Sequence, residues 1–244
     1  MARNKKAIGI RYASQTTSLC IILMILFGCV RRTPLENIVS RYEVRGIDIS
    51  AHNGPIDFER IRNEGIDFVF MKASEGSGFK DVAFFDNYRN ARKAGLKVGA
   101  YHFFRFDVPG HMQSLNYLNS IRGRHLDFPL VIDLEEWGNP RGVSTDLIVS
   151  RLEAFLAHVE LSGHPIMIYT NKRGYERFIK NRFENYPLWI CSFTPLTPDV
   201  NWIFWQYSHS GRLKGAKGNV DLNVFNGNRQ QWLEWCDSIG GTIQ

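Results

Sequence analysis

"PLVIDLE" (Pro129–Glu135), followed after a short polar stretch by "STDLIVSRLEAFLAHVELSG" (Ser144–Gly163), is a strand and then a helix. The first stretch opens with an apolar run that does not alternate, as in a strand covered on both faces. The second repeats its apolar residues at helical spacing and stops on a glycine. The same beat occurs upstream: "VRGIDIS" before "IDFERIRNEG", "DFVFMKAS" before "AFFDNYRNARKAG", and "KVGAYHFF" before "HMQSLNYLNSI". Downstream it occurs once more, with "HPIMIYT" before "NKRGYERFI". Five strand–helix units in succession predict a parallel sheet.

The rhythm then changes. "PLWICSF", "IFWQYS" and "VDLNVF" follow one another with connections too short or too rich in Pro and Gly for full helices, and "NRQQWLEWCDSI" closes the chain as a helix. The expectation is an α/β fold, a TIM-like barrel of the form (β/α)5(β)3. An open doubly wound sheet is the alternative, but no Gly-rich phosphate loop follows the first strand to support it. The connection "SHSGRLKGAKGN" has no crossover helix, so strand eight should run antiparallel to its neighbour.

The 244 residues carry a formal charge of +6, a balance that invites a nucleic-acid reading. Residues 1–28 contain Arg3, Lys5, Lys6 and Arg11 and no acid, and removing those four charges leaves +2. The excess belongs to a leader: basic start, apolar run "LCIILMILF", then Gly28-Cys29. That is a secretory signal layout, too short to span a bilayer as a helix. "LFGC" resembles the bacterial lipobox, which implies lipidation at Cys29; an ordinary cleaved signal peptide is the alternative. The organisation expected is thus signal peptide 1–28, tether 29–42 and barrel domain 43–244, with no nucleic-acid partner. Cys191 and Cys236 remain for the folded domain, either bridged or as plain core residues.

In such barrels the chemistry gathers at the carboxyl ends of the strands. The residues there are Asp48 and Ser50, Lys72 and Glu75, His102, Asp133 and Glu135, Tyr169 and Asn171, and Gln206. Asp221 joins them because its antiparallel strand starts at that rim. Alternation along a strand points Asp133 and Glu135 into the mouth and turns Glu136 toward a neighbouring loop or helix. Two inward carboxylates repel, so one should keep its proton near neutral pH, as glycosidic cleavage requires. Lys72 and Glu75 are expected to form an ion pair or to touch substrate. Asp48, His52 and His102 could be read as metal ligands, but their spacing is ordinary, and neither metal nor cofactor is expected. Tyr101, Tyr169, Trp189 and other aromatics near the rim are either core or sugar-stacking residues.

"GIDISAHNGPIDF", "FVFMKASEG", "AGLKVGAYHFFR", "PLVIDLE", "IYTN", "PLWI", "WQYS" and "VDLNVFNG" resemble, in order and spacing, the glycoside hydrolase family 25 lysozymes, or Chalaropsis-type muramidases. The resemblance spans Gly46 to Gly227 and implies cleavage of the β-1,4 bond between N-acetylmuramic acid and N-acetylglucosamine in peptidoglycan. It implies Glu135 as proton donor and Asp133 as the group that orients the substrate acetamido group or activates water. Asp48 and Asp221 would be further rim acids, with Tyr101, Tyr169, Gln206 and Trp189 near the sugar subsites. Stereochemistry stays open among retaining, inverting and substrate-assisted routes. "ICSF" after Trp189 departs from a more usual alanine-containing stretch. The whole reading is a secreted, lipid-anchored bacterial muramidase, monomeric, at the cell envelope. A wall-binding protein without catalysis and a hydrolase of chitin-like polymers are the rivals.

Overall fold

The computed structural model describes residues 33–240. The leader and Cys29 lie outside the described residues. Strands β1 (Arg45–Ile49), β2 (Phe68–Glu75), β3 (Phe79–Lys80), β4 (Lys97–Phe103), β5 (Leu130–Asp133), β6 (Ile166–Asn171), β7 (Leu188–Cys191), β8 (Phe204–Gly211) and β9 (Val220–Phe225) form one sheet. Its order is β1-β9-β8-β7-β6-β5-β4-β2-β3, and pairing of β1 with β2 closes eight strands into a barrel, leaving β3 as a hairpin edge on β2. As expected, β9 is antiparallel, and to both its neighbours, β8 and β1. The other pairings around the ring are parallel.

The helices are α1 (Pro34–Val39), α2 (Phe58–Asn63), α3 (Phe84–Lys93), α4 (Gly110–Ile121), α5 (Thr145–Leu161) and α6 (Arg229–Gly240). The sequence shows why α5 forms. Ser144 caps its amino end by accepting from Leu147 N, and Ile148, Leu152, Phe155, Leu156 and Val159 make one buried stripe. "NKRGYERFI" forms a shorter crossover than read from sequence: a turn over Lys172–Gly174, capped by the Asn171 side chain, then a π-type turn over Tyr175–Ile179. Part of the segment read as a tether is folded, since Val39 is buried in the core and Leu35, Ile38 and Tyr42 pack against it.

Inward residues fill the barrel itself with aromatics. Phe68, Phe70, Phe128, Trp189, Phe204 and Phe225 pack there, and Trp232 and Cys236 of α6 join the same cluster. Phe70 stacks on Trp189 at 4.4 Å between centroids. These rings need room on the neighbouring strands, and glycine supplies it. A Cβ on Gly46 would sit 2.1 Å from the Phe68 ring, and one on Gly99 would sit 2.4 Å from Phe70. The filled interior is therefore a floor beneath the carboxyl ends of the strands. Cys191 and Cys236 are free thiols, so the bridge left open by the sequence is not made.

Candidate active site

A cavity of about 290 Å³ opens at the carboxyl end of the barrel. Its lining contains five carboxylates, Asp48, Glu75, Asp133, Glu135 and Asp221, against Lys72 and Arg105. Asp133 is the last residue of β5, and the backbone just beyond it goes on bonding to β6. Leu134 N donates to Tyr169 O at 2.9 Å, Thr170 Oγ1 donates to Leu134 O at 2.6 Å, and Asn139 Nδ2 donates to Glu135 O at 2.9 Å. This pinning keeps the alternation running, so Asp133 and Glu135 both reach the cavity. Glu136 turns out of the cavity and is held by Arg173 at 2.7 Å and by Arg177.

Asp48 and Asp221 stand directly opposite each other across the β1–β9 pair. Side chains so placed share a face and lie within reach of each other. Asp48 Oδ2 accepts from Gln206 Nε2 at 2.9 Å and from Asn223 Nδ2 at 2.8 Å. Gln206 Nε2 also lies 3.3 Å from Asp221 Oδ2, and Gln206 Oε1 accepts from the Tyr169 hydroxyl at 2.8 Å. Trp189 Nε1 donates to Asn223 Oδ1 at 2.8 Å. One network thus joins five strands: Tyr169 on β6, Trp189 on β7, Gln206 on β8, Asp48 on β1, and Asp221 with Asn223 on β9.

The acids are tuned by burial first and by one another second. Burial and then the charge of Asp221 push Glu135 up from 4.5 to about 7, against the pull of Lys72. Asp133 is raised well above the usual carboxylate range by burial and then by Glu135. Its Oδ1 is buried and takes no hydrogen bond from the described residues. Asp48 is likewise raised, by burial and then by Asp221, while its hydrogen bonds from Asn223 and Gln206 act the other way. Burial raises Asp221 too, opposed by its hydrogen bond with Asp48 and by His209. Acids this close cannot all ionise at neutral pH, so the cluster holds protons there.

Lys72 Nζ pairs with Glu75 at 2.6 Å, as expected, and lies 5.0 Å from the centre of the Phe103 ring. Residues three apart on a regular strand point to opposite faces, but a register shift between Lys72 and Ser74 puts both Lys72 and Glu75 on the cavity. Arg105 braces the rim from Glu75 at 3.4 Å to Gly138 O at 2.7 Å.

Tyr101, Tyr169, Trp189 and Gln206 all line the cavity, although Trp189 is only 2% exposed and belongs to its floor. Ser50 and His52 lie on its rim. His102 does not join them. It points out of the barrel, fully buried, with Nδ1 2.8 Å from Ser74 Oγ and Nε2 3.3 Å from Gln113 Oε1, beside Tyr117 and Phe155. Burial lowers it to about 3, and it holds the sheet to its helices as a neutral ring. Two neighbours of the site escaped sequence reading. Asn223 and Arg105 are neutral or distant in sequence from the acids they serve, whereas Trp137, 80% exposed, lines the cavity as one of the rim aromatics the sequence offered. The spacing of Asp221 and Asn223, two apart on one strand, was the available signal for Asn223.

A barrel whose strand ends deliver a buried pair of carboxylates two residues apart, one still protonated near neutrality, defines a glycoside-hydrolase type of centre. Residues 47–216 match Glycosyl hydrolases family 25, and the chain belongs to that family. It is 34% identical over 215 residues to the protein YegX of Escherichia coli O157:H7, covering 84% of this chain and 78% of that one. It is 33% identical over 184 residues to the autolytic lysozyme of Clostridium acetobutylicum, covering 75% of this chain and 56% of the relative. Among solved structures, a family 25 glycosyl hydrolase from Bacillus anthracis superposes with a TM-score of 0.72 at 33% identity, covering 80% of this chain and 94% of the other.

Proposed function

We propose that the chain is a lysozyme of the N-acetylmuramidase kind, hydrolysing the β-1,4 bond between N-acetylmuramic acid and N-acetylglucosamine in peptidoglycan. The observation that carries this reading is the buried Asp133–Glu135 pair, with Glu135 holding its proton up to about 7, in a family 25 barrel. Glu135 gives its proton to the glycosidic oxygen of the leaving sugar. Asp133 faces the other reacting group: its free Oδ1 suits an acetamido N–H, which would turn the acetamido oxygen onto the anomeric carbon. The Asp48–Asp221 pair lies beside the positive centre that forms as the bond breaks, where ionisation of one member stabilises that centre. Water then completes hydrolysis, with Glu135 taking a proton back.

Purified residues 30–244 incubated with peptidoglycan should release muramic acid reducing ends, and Glu135→Gln should release hardly any. Glucosamine ends would instead favour a chitin-like specificity, and equal release by the variant would remove Glu135 as the acid.

For the anchor, the "LFGC" stretch supports export and lipidation at Cys29, which would hold a monomeric barrel at the cell envelope. Wild type should incorporate labelled fatty acid in cells and Cys29→Ala should not. Equal labelling rejects the anchor.

A further inference from the structure

A second cavity, of about 830 Å³, adjoins the catalytic one, and the two share Trp137 and no other tryptophan. We propose that this groove is a subsite for the carboxylates of the peptide that peptidoglycan carries on its muramic acid, an assignment that rests on the muramidase reading above.

The sign of the charge reverses across Trp137. On the catalytic side acids predominate; in the groove Arg141, Arg173 and Arg177 face the single carboxylate of Glu136, leaving a net charge of +2. The arginines are presented in different ways. Arg177 is fixed: its Nε donates to Thr145 Oγ1 at 2.9 Å and its Nη2 to Val143 O at 3.1 Å, it pairs with Glu136, and it lies 4.8 Å from the centre of the Phe178 ring. Arg173 is 80% exposed and holds Glu136 through Nε at 2.7 Å, which leaves the outer edge of its guanidinium open to a second carboxylate. Arg141 is exposed and sits on the loop between Trp137 and α5.

That loop is built to hold its place. Asn139 Oδ1 accepts from Phe106 N at 2.8 Å, and its Nδ2 donates to Phe104 O and Glu135 O, both at 2.9 Å. The bond to Glu135 O ties the groove directly to the backbone of the catalytic acid. Glu136, idle in the reaction, thereby acquires a task. Its carboxylate orients Arg173 and Arg177 and is too little charge to neutralise the groove.

The substrate has the matching polarity. Its sugars are uncharged where the lactyl carboxyl of muramic acid is taken up in the amide to the peptide, and that peptide bears free carboxylates. Sugar over the acids and peptide over the arginines would fit both cavities at once. Guanidinium groups are well suited to the second task, because their forked donors pair with carboxylates bidentately.

The test compares glycan strands bearing stem peptides with the same strands stripped of peptide by an amidase, which keep one short lactyl carboxylate per muramic acid but lose those that reach the groove, for wild type and for Arg141→Gln/Arg173→Gln. Two exposed ion pairs of this kind should together favour the peptide-bearing strands about fivefold in kcat/KM. The double variant should bring that ratio to about one, and added salt should shrink the wild-type preference. A wild type with no preference, or a variant that keeps it, overturns the subsite. Binding of N-acetylglucosaminyl-N-acetylmuramic acid with and without its peptide, followed by calorimetry, separates the two readings. If neither strand is cleaved, the muramidase reading fails, and tighter binding of the peptide form by wild type but not by the variant still upholds the groove. Equal binding of both forms removes it.

Discussion

Replacing Glu135 by Gln should stabilise the protein while abolishing its chemistry, and the gain should depend on pH in a defined direction. In the fold Glu135 is raised from 4.5 to about 7, chiefly by burial. The folded state thus holds a proton between those two values that the unfolded chain has lost, so this group lowers stability as pH rises through the interval. Below 4.5 the penalty is absent; above about 7 it is complete. At about 1.4 kcal/mol per pH unit, the displacement corresponds to a ceiling of roughly 3 kcal/mol. Glutamine keeps the shape and carries no charge. Urea denaturation at pH 4 should therefore give wild type and Glu135→Gln similar stability, whereas at pH 8 the variant should be more stable by up to about 3 kcal/mol. Activity should respond oppositely, falling in wild type as pH rises through about 7 and lost by roughly 10²- to 10⁴-fold in the variant. An equal or lower stability of Glu135→Gln at pH 8 would refute the claim that burial of this carboxylate costs the fold anything.

Other substitutions read other parts of the site. Glu136→Gln should retain most activity on stripped glycan and lose at most about 1 kcal/mol, since its ion pairs lie at a partly exposed edge; a loss as deep as that of Glu135→Gln would mean the strand register is wrong. Asn223→Leu leaves the Trp189 N–H without its acceptor and takes one of two donors from Asp48, which should cost roughly 2 to 4 kcal/mol and lower kcat. An unchanged urea midpoint and rate would dismiss the network. Gly99→Ala drives a methyl group into Phe70 and Phe128 and should destabilise by about 1 to 3 kcal/mol or more, seen as a lower melting temperature.

Much of this architecture is legible in the chain because it rests on signals that repeat. Buried parallel strands read as unbroken apolar runs, and the period of two sorts Asp133 and Glu135 from Glu136 without any coordinates. His102 shows where strand position alone misleads: it stands at a strand end, but on the side facing the helices. Glu75 shows the converse, because an irregularity after Lys72 that leaves no mark in the sequence returns it to the cavity. Helix α1 and the two-residue β3 are too short to produce a period at all. Asn223 serves an acid brought close only across the β1–β9 pair, Arg105 one on the neighbouring strand, and the groove beside Trp137 is assembled from loops and a turn with no pattern of their own.

The direct opposition of Asp48 and Asp221 bears on when the enzyme becomes an enzyme. Asp48 and its donor Asn223 are separated by 175 positions, and they meet only when the final strand slots between the first and the eighth. Loop closure over such a span is slow and comes after local structure. A chain that still lacks its last strand can carry Asp48, Asp133 and Glu135 on formed strands and yet be without Asp221 and Asn223. Strand β9 is thus the element that completes the cluster, and a chain truncated before it should show no activity on peptidoglycan even with Glu135 and Asp133 intact.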